Sequence, residues 1–150
     1  MFIEYCFNKA SERQIAEHLL LCEANFIPSL SERIDIEDYA KKIADQAARF
    51  EAWVGNVLIA LIAAYCNDNK NPSAYITSVS VLKGWQGKGV ASLLIQQCFE
   101  HIKLLGFDYV TLEVSNENIS AIKLYEKHGF MISRIHGKSV FMQLNIRKGT

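Results

Sequence analysis

The chain has 150 residues, is 50% hydrophobic and carries 16 basic against 16 acidic side chains. At that length a single domain over residues 1–150 buries roughly 68–70% of its unfolded surface, so its core needs neither disulfide nor metal. The balanced charge argues against nucleic acid as a partner.

Phe2–Phe7 reads as a first strand. Ser11 then opens a helix with Ile15, His18, Leu19, Cys22 and Phe26 on one face, broken over Asn25–Ser29 because Pro28 disfavours helix at Ile27. Asp35 is the N-cap candidate of a second helix that turns Ile36, Tyr39, Ala40 and Ile43 inward. Phe50–Val54, Val57–Tyr65 and Ala74–Leu82 are rich in β-branched and apolar residues and read as three strands, the first two joined at Gly55-Asn56. A glycine-rich turn, Lys83–Gly89, feeds a helix with Val90, Leu93, Leu94, Cys98 and Phe99 at helical spacing. Tyr109–Ser115 is a further strand, and Asn118–His128 a helix ended by Gly129. Met131–Ile135 and Ser139–Leu144 close the chain as a hairpin around His136-Gly137-Lys138. The order β-α-α-β-β-β-α-β-α-β-β predicts an α/β fold: one mixed, mostly antiparallel central sheet with helices on both faces.

Cys6, Cys22, Cys66 and Cys98 are scattered and form no CxxC, so they read as small buried hydrophobes of a reducing compartment. Met1–Phe7 lacks the basic start of a signal peptide, and the apolar run Val57–Cys66 is far short of a membrane span. A cytoplasmic protein without a membrane partner is expected. The four histidines are separately placed and suggest neither a catalytic triad nor a metal site.

The chemistry concentrates at the glycine turn. A turn of this kind at a helix N-terminus aims unpaired backbone N–H groups in one direction, at the positive end of the helix dipole, and so binds anions, usually phosphate. Gly84 and Gly89 have the spacing of GxxxxGK[ST], but Val90 stands where the lysine belongs. A dinucleotide fingerprint through Gly87 and Gly89 would put Ser92 where Gly or Ala is needed, and Asp108 precedes a strand rather than ending one. Gln86-Gly87-Lys88-Gly89-Val90-Ala91 instead resembles the Q/R-x-x-G-x-G/A loop of the Gcn5-related N-acetyltransferase family. A second segment, Asn118, Ala121, Leu124-Tyr125 and Gly129-Phe130, is similar to that family's N-x-x-A-x-x-L-Y-x-x-x-G-F signature, with every position filled. The element order is shared as well, so the resemblance covers essentially the whole chain. Within the family it looks most like the bacterial enzymes that acetylate the N-terminal alanine of a ribosomal protein, which share Leu112-Glu113-Val114 twelve residues before the tyrosine.

The resemblance implies acetyl-CoA as co-substrate and acetyl transfer to a primary amine. It implies that Gln86, Gly87, Lys88, Gly89, Val90, Ala91 and Ser92 hold the pyrophosphate, with the Lys88 backbone N–H rather than its ammonium as the contact. Val79, Ser80 and Val81 would lie along the pantetheine arm, Val79 and Val81 pairing with it as a strand would, and a backbone N–H there would stabilise the oxyanion. Asn118 and Tyr125 would also touch the coenzyme. Glu113 is implied as general base and Tyr125 as general acid.

Elementary chemistry sets the demands on those roles. The transfer needs a neutral amine, a donor for the developing oxyanion and a proton for the leaving thiolate. A glutamate near its ordinary pKa of about 4.3 is a poor base, so Glu113 must act through a water or be raised by burial. A phenol near pKa 10 protonates a thiolate whose acid lies near 8.5 at modest cost. Each residue also has a plainer reading: Glu113 as a polar strand residue facing solvent, Tyr125 as a core tyrosine, Asn118 as a helix cap and Lys88 as a surface lysine.

One departure concerns the acceptor. The ribosomal-protein enzymes continue past Gly-Phe to an arginine-rich stretch and a tyrosine pair, whereas Ile132–Phe141 is short and has no tyrosine. The acceptor pocket is expected between Phe26–Arg33 and the turn near His136, with Phe26, Pro28, Leu30, Arg33 and Tyr39 available to line it. A small amine, an amino sugar and a protein N-terminus all remain open. A non-catalytic acyl-CoA-binding module is the alternative, and the final hairpin offers a place for a homodimer.

Overall fold

The structure is a computed structural model that describes residues 2–23, 26, 29–32, 34–68 and 70–147. Asn25, Ile27, Pro28 and Arg33, which the sequence assigns to the helix break and the acceptor loop, lie outside the described residues.

The strands are β1 (Glu4–Phe7), β2 (Ala48–Val54), β3 (Val57–Tyr65), β4 (Ser73–Val81), β5 (Tyr109–Ser115), β6 (Met131–His136) and β7 (Ser139–Asn145), and the helices α1 (Glu12–Cys22), α2 (Ile36–Gln46), α3 (Val90–Leu104) and α4 (Ile119–Lys127). The seven strands form one sheet in the order β1-β2-β3-β4-β5-β7-β6. Every neighbouring pair is antiparallel except β4 and β5.

Local chemistry explains where the helices begin. Ser11 and Gln14 form a reciprocal capping box at α1, with bonds of 3.1 and 2.9 Å, and the Asp35 carboxylate accepts the Asp38 N–H at 3.1 Å to start α2. α1 stops at Cys22, so Phe26 lies past the helix rather than on its face. Ile15, Leu19, Ala40 and Ile43 of α1 and α2 pack on Trp53, Leu58, Leu61 and Ala63. On the opposite face α3 and α4 bring Leu94, Ile95, Cys98 and Tyr125 against Phe50, Ile62, Val110, Leu112 and Met142. Both faces carry helices, but among the described residues the core under α1 and α2 is built from β2 and β3, with α1 reaching β4. Thr111, Glu113 and Ser115 therefore look out from an uncovered part of the sheet, and Glu113 is exposed where full cover was expected.

The decisive irregularity is in β4. Ala64 pairs with Ile76 and Ala63 with Ser78, so Thr77 is an extra residue and the strand bulges there. One inserted residue swaps the faces of all later side chains. Ala74 and Ile76 point to α3, yet beyond the bulge it is Val79 and Val81 that pack on that side, while Ser80 points to α1. Pairing between β4 and β5 runs only from Ser73 to Tyr75 opposite Tyr109 to Thr111. Past that point the strands part.

At the outer edge β6 has all six residues exposed and carries its own irregularity at Ser133. Where β1 hands over to α1, the fully buried Glu51 carboxylate accepts the N–H groups of Lys9 and Ala10 at 3.1 Å, Trp53 Nε1 at 3.0 Å and Arg49 Nε at 3.3 Å. The Arg49 guanidinium also donates to the carbonyls of Ala44 and Ala10, at 3.1 and 2.9 Å. Removing one member of such a buried pair strands its partner's charge. Glu51→Ala is therefore expected to cost about 3–5 kcal/mol, read as a lower urea midpoint, with α1 the first element to lose amide-exchange protection.

Candidate functional site

Three features lie in sequence along the parting of β4 from β5: a glycine cradle, a bare strand edge and a groove. The cradle opens with a short 3₁₀ turn, Lys83–Trp85. Gly87 and Gly89 follow with φ of +75° and +80°, a region that side chains disfavour. A Cβ built on either glycine meets nothing within 4 Å, so the backbone faces open space. Gly89 caps α3 without a side-chain bond, and the first carbonyl bond runs from Leu93 N–H to the Gly89 oxygen at 3.2 Å. The N–H groups of Val90, Ala91 and Ser92 are thus left by the helix for another acceptor. Lys88 is exposed beside them. Gln86 has a structural task, its Nε2 donating to the Val81 carbonyl at 3.1 Å and tying the turn to β4. The Ser92 hydroxyl meets His128 Nε2 at 3.1 Å, joining α3 to the end of α4. Burial and then the Lys127 charge hold His128 below its ordinary pKa.

The bare edge follows from the register. The Leu82 N–H bonds the Ile59 carbonyl at 2.8 Å, and pairs alternate along an antiparallel ladder. Ser80 and Ser78 therefore spend their backbone groups on β3, and Val79 and Val81 turn theirs into the gap left by β5. Among the described residues neither backbone group of Val79 has a partner, whereas the Val81 carbonyl is taken by Gln86. Ser80 sits apart from the other implied coenzyme contacts. Its buried hydroxyl lies 2.8 Å from His18 Nε2 on the α1 side, because the bulge reversed its face.

The groove holds about 600 Å³ and is lined by Val79, Glu113, Asn118 and Tyr125 on the coenzyme side. Phe26, Leu30, Ile34 and Tyr39 form its apolar wall, and Glu117, Lys138 and Ser139 its polar mouth. Asn118 is the cap of α4, its oxygen accepting from Ala121 N–H at 3.3 Å, and it still faces the groove. Glu113 is exposed and accepts a 2.6 Å hydrogen bond from Ser139 Oγ. Tyr125 is only 8% exposed and stands edge-on to Phe130 with ring centroids 5.8 Å apart. Burial pushes its phenol well above the ordinary value of 10, which corrects the expectation of an unperturbed acid. Its neutral form is a firm hydrogen-bond donor and a costlier proton source.

Residues 13–130 match the acetyltransferase (GNAT) family. The chain belongs to that family. Among curated relatives of this GNAT protein, a probable spermine N(1)-acetyltransferase of Bacillus subtilis subsp. natto (strain BEST195) is 30% identical over 81 residues, 53% of this chain and 53% of its own. The matched segment is thus about half the length of that relative. Two solved structures share the fold: a PaiA N-acetyltransferase from Thermoplasma acidophilum in complex with coenzyme A (TM-score 0.74, 15% identity, 97% of this chain and 99% of that one) and the ribosomal-protein-S18-alanine N-acetyltransferase from Escherichia coli (TM-score 0.77, 17% identity, 97% and 94%).

The sequence singled out the cradle, Glu113, Asn118 and Tyr125, and the structure brings Glu113, Asn118 and Tyr125 to one groove. It did not single out Glu117 and Ser139. Glu117 is legible in hindsight as an acid between the end of β5 and the α4 cap, but Ser139 reaches Glu113 only through the β5–β7 register. Gly89→Val would place a branched side chain in the open cradle at φ +80°, at a backbone cost of about 1–3 kcal/mol. The expected result is a folded variant with a lower melting temperature and no measurable heat of coenzyme A binding. Unchanged affinity would mean that the turn only starts a helix.

Proposed function

We propose that this single domain moves the acetyl group of acetyl-CoA onto a primary amine. The observation that carries the reading is the unpaired Val79 edge leading from the open glycine cradle to the Glu113–Tyr125 groove. Pantetheine carries amides that pair with such an edge as an added strand does. The acetyl carbonyl then lies by the Val79 N–H, which donates to the oxygen as negative charge develops. The attacking amine nitrogen, in its neutral form, bonds to that carbonyl carbon, and the proton it then carries in excess leaves through a water towards Glu113. As the carbon–sulfur bond breaks, Tyr125 donates to the sulfur and supplies the proton.

The acceptor we favour is a cationic amine with an aliphatic body. Glu113 and Glu117 attract the charge, and Phe26, Leu30 and Ile34 cover the apolar part. Lys138 holds Glu117 at 3.7 Å, but the pair is exposed and weak enough for a second amine to displace it. Spermine, named for the curated relative, has this chemistry. The free cysteines support a reducing, cytoplasmic setting.

Thiol release from acetyl-CoA over a panel of spermidine, an amino sugar and an alanine-initiated peptide tests both statements. Turnover is expected, fastest with spermidine. Coenzyme binding without turnover on any acceptor would instead indicate a binding module. Tyr125→Phe keeps the ring, so coenzyme affinity should move little while kcat falls by about 10²–10⁴. Since the protonated phenol is the working form and burial raises its pKa, no falling limb due to Tyr125 is expected below about pH 10. Wild-type kcat in the phenylalanine variant would leave Tyr125 a packing residue.

A further inference from the structure

We propose that Tyr39 is a positioning residue for acetyl transfer, fixing the Thr77 bulge so that the Val79 N–H meets the acetyl oxygen. The proposal rests on the coenzyme reading above and adds a residue from the acceptor wall to it.

Tyr39 reaches from α2 to the bulge. Its hydroxyl lies 2.7 Å from the Thr77 carbonyl and 2.6 Å from Thr77 Oγ1. A carbonyl only accepts, so the phenol proton goes there, and the threonine hydroxyl donates back to the phenol oxygen. Tyr39 thereby reaches both polar ends of the bulged residue, and the Tyr65 phenol also lies by the Thr77 side chain. A second pin lies three residues on. His18 Nδ1 faces the Leu58 carbonyl at 2.8 Å and must carry the ring proton, which leaves Nε2 to accept from Ser80 Oγ at 2.8 Å. Between the pins, the buried Ser78 hydroxyl has no hydrogen-bond partner among the described residues. Val79 is therefore bracketed from the α1–α2 side at Thr77 and Ser80, while its own backbone points the other way. An oxyanion donor works through its position to a few tenths of an ångström, and misplacement by about 1 Å costs about 10²-fold in rate. A bulge has lost ladder bonds and is the part of β4 most able to drift.

Tyr39→Phe keeps the ring in the acceptor wall and removes both bonds. Calorimetry with acetyl-CoA and with coenzyme A separates the acetyl group from the rest of the ligand. We expect coenzyme A affinity to hold within about threefold while acetyl-CoA weakens relative to it, and kcat to fall about 10- to 100-fold with little change in acceptor KM. Thr77→Val, which leaves the carbonyl bond, should move the same ratio in the same direction by less. A fall in both affinities together, or a change in acceptor KM alone, would overturn the proposal. If Tyr39→Phe does not fold, the affinity ratio in Thr77→Val decides, and an unchanged ratio overturns it. Wild-type protein that binds acetyl-CoA but turns over no amine would sink the transfer reading and still leave the ratio to test Tyr39. Wild-type protein that binds neither ligand would end both.

Discussion

One inserted residue governs this molecule. The bulge at Thr77 gives β4 an added local twist, and β4 and β5, paired over three residues, separate beyond it. A regular strand would have continued the parallel ladder and buried the edge that now stands bare. The same insertion turns Val79 and Val81 to the α3 side and Ser80 to α1, so one face of the strand meets ligand-binding elements and the other is anchored. Opening the sheet costs backbone hydrogen bonds, and in the proposed reaction an extended ligand with amides of its own would restore them.

The cradle and the groove depend on that opening. Gln86 ties the glycine turn to the last residue of β4, so the N–H groups at the start of α3 are registered against the bare edge. The other wall comes from β5 and α4, where Glu113 and Tyr125 project from different elements onto one space. Their environments diverge: the carboxylate is wet and held by Ser139, and the phenol is buried against Phe130. In the proposed reaction that contrast suits the two side chains to different tasks, proton removal at the wet carboxylate and proton donation at the buried phenol.

Much of this was legible in the sequence because it is local. β3 and β5 begin and end where the apolar and β-branched runs do, and Ser11, Asp35 and Asn118 cap the helices they were expected to cap. Gly87 and Gly89 announced a turn whose backbone must take positive φ. The uncovered face over Glu113 was not legible, because helix order does not say how far a helix layer extends across a sheet. The bulge does leave a trace in the sequence. In Ala74-Tyr75-Ile76-Thr77-Ser78-Val79-Ser80-Val81 the apolar residues sit at even positions to Ile76 and at odd positions from Val79. A period of two that changes phase within one strand is what an inserted residue produces. Tyr39 carried no such trace, since its partner is 38 residues away.

The short seam between β4 and β5 has a consequence for access to the β4 edge. β1–β4 form a meander of neighbouring pairs, and β5–β7 a second antiparallel group. Three residue pairs and two amide bonds to the Pro72 carbonyl, at 3.0 and 3.1 Å, join their backbones. α3 packs mainly against the meander, leaving the second group with fewer ties to it. The two strand groups share one buried core under α3 and α4, so the backbone seam is short while the side-chain packing across it is continuous. The β4 edge past Tyr75 is therefore open from the side without any unfolding of the meander.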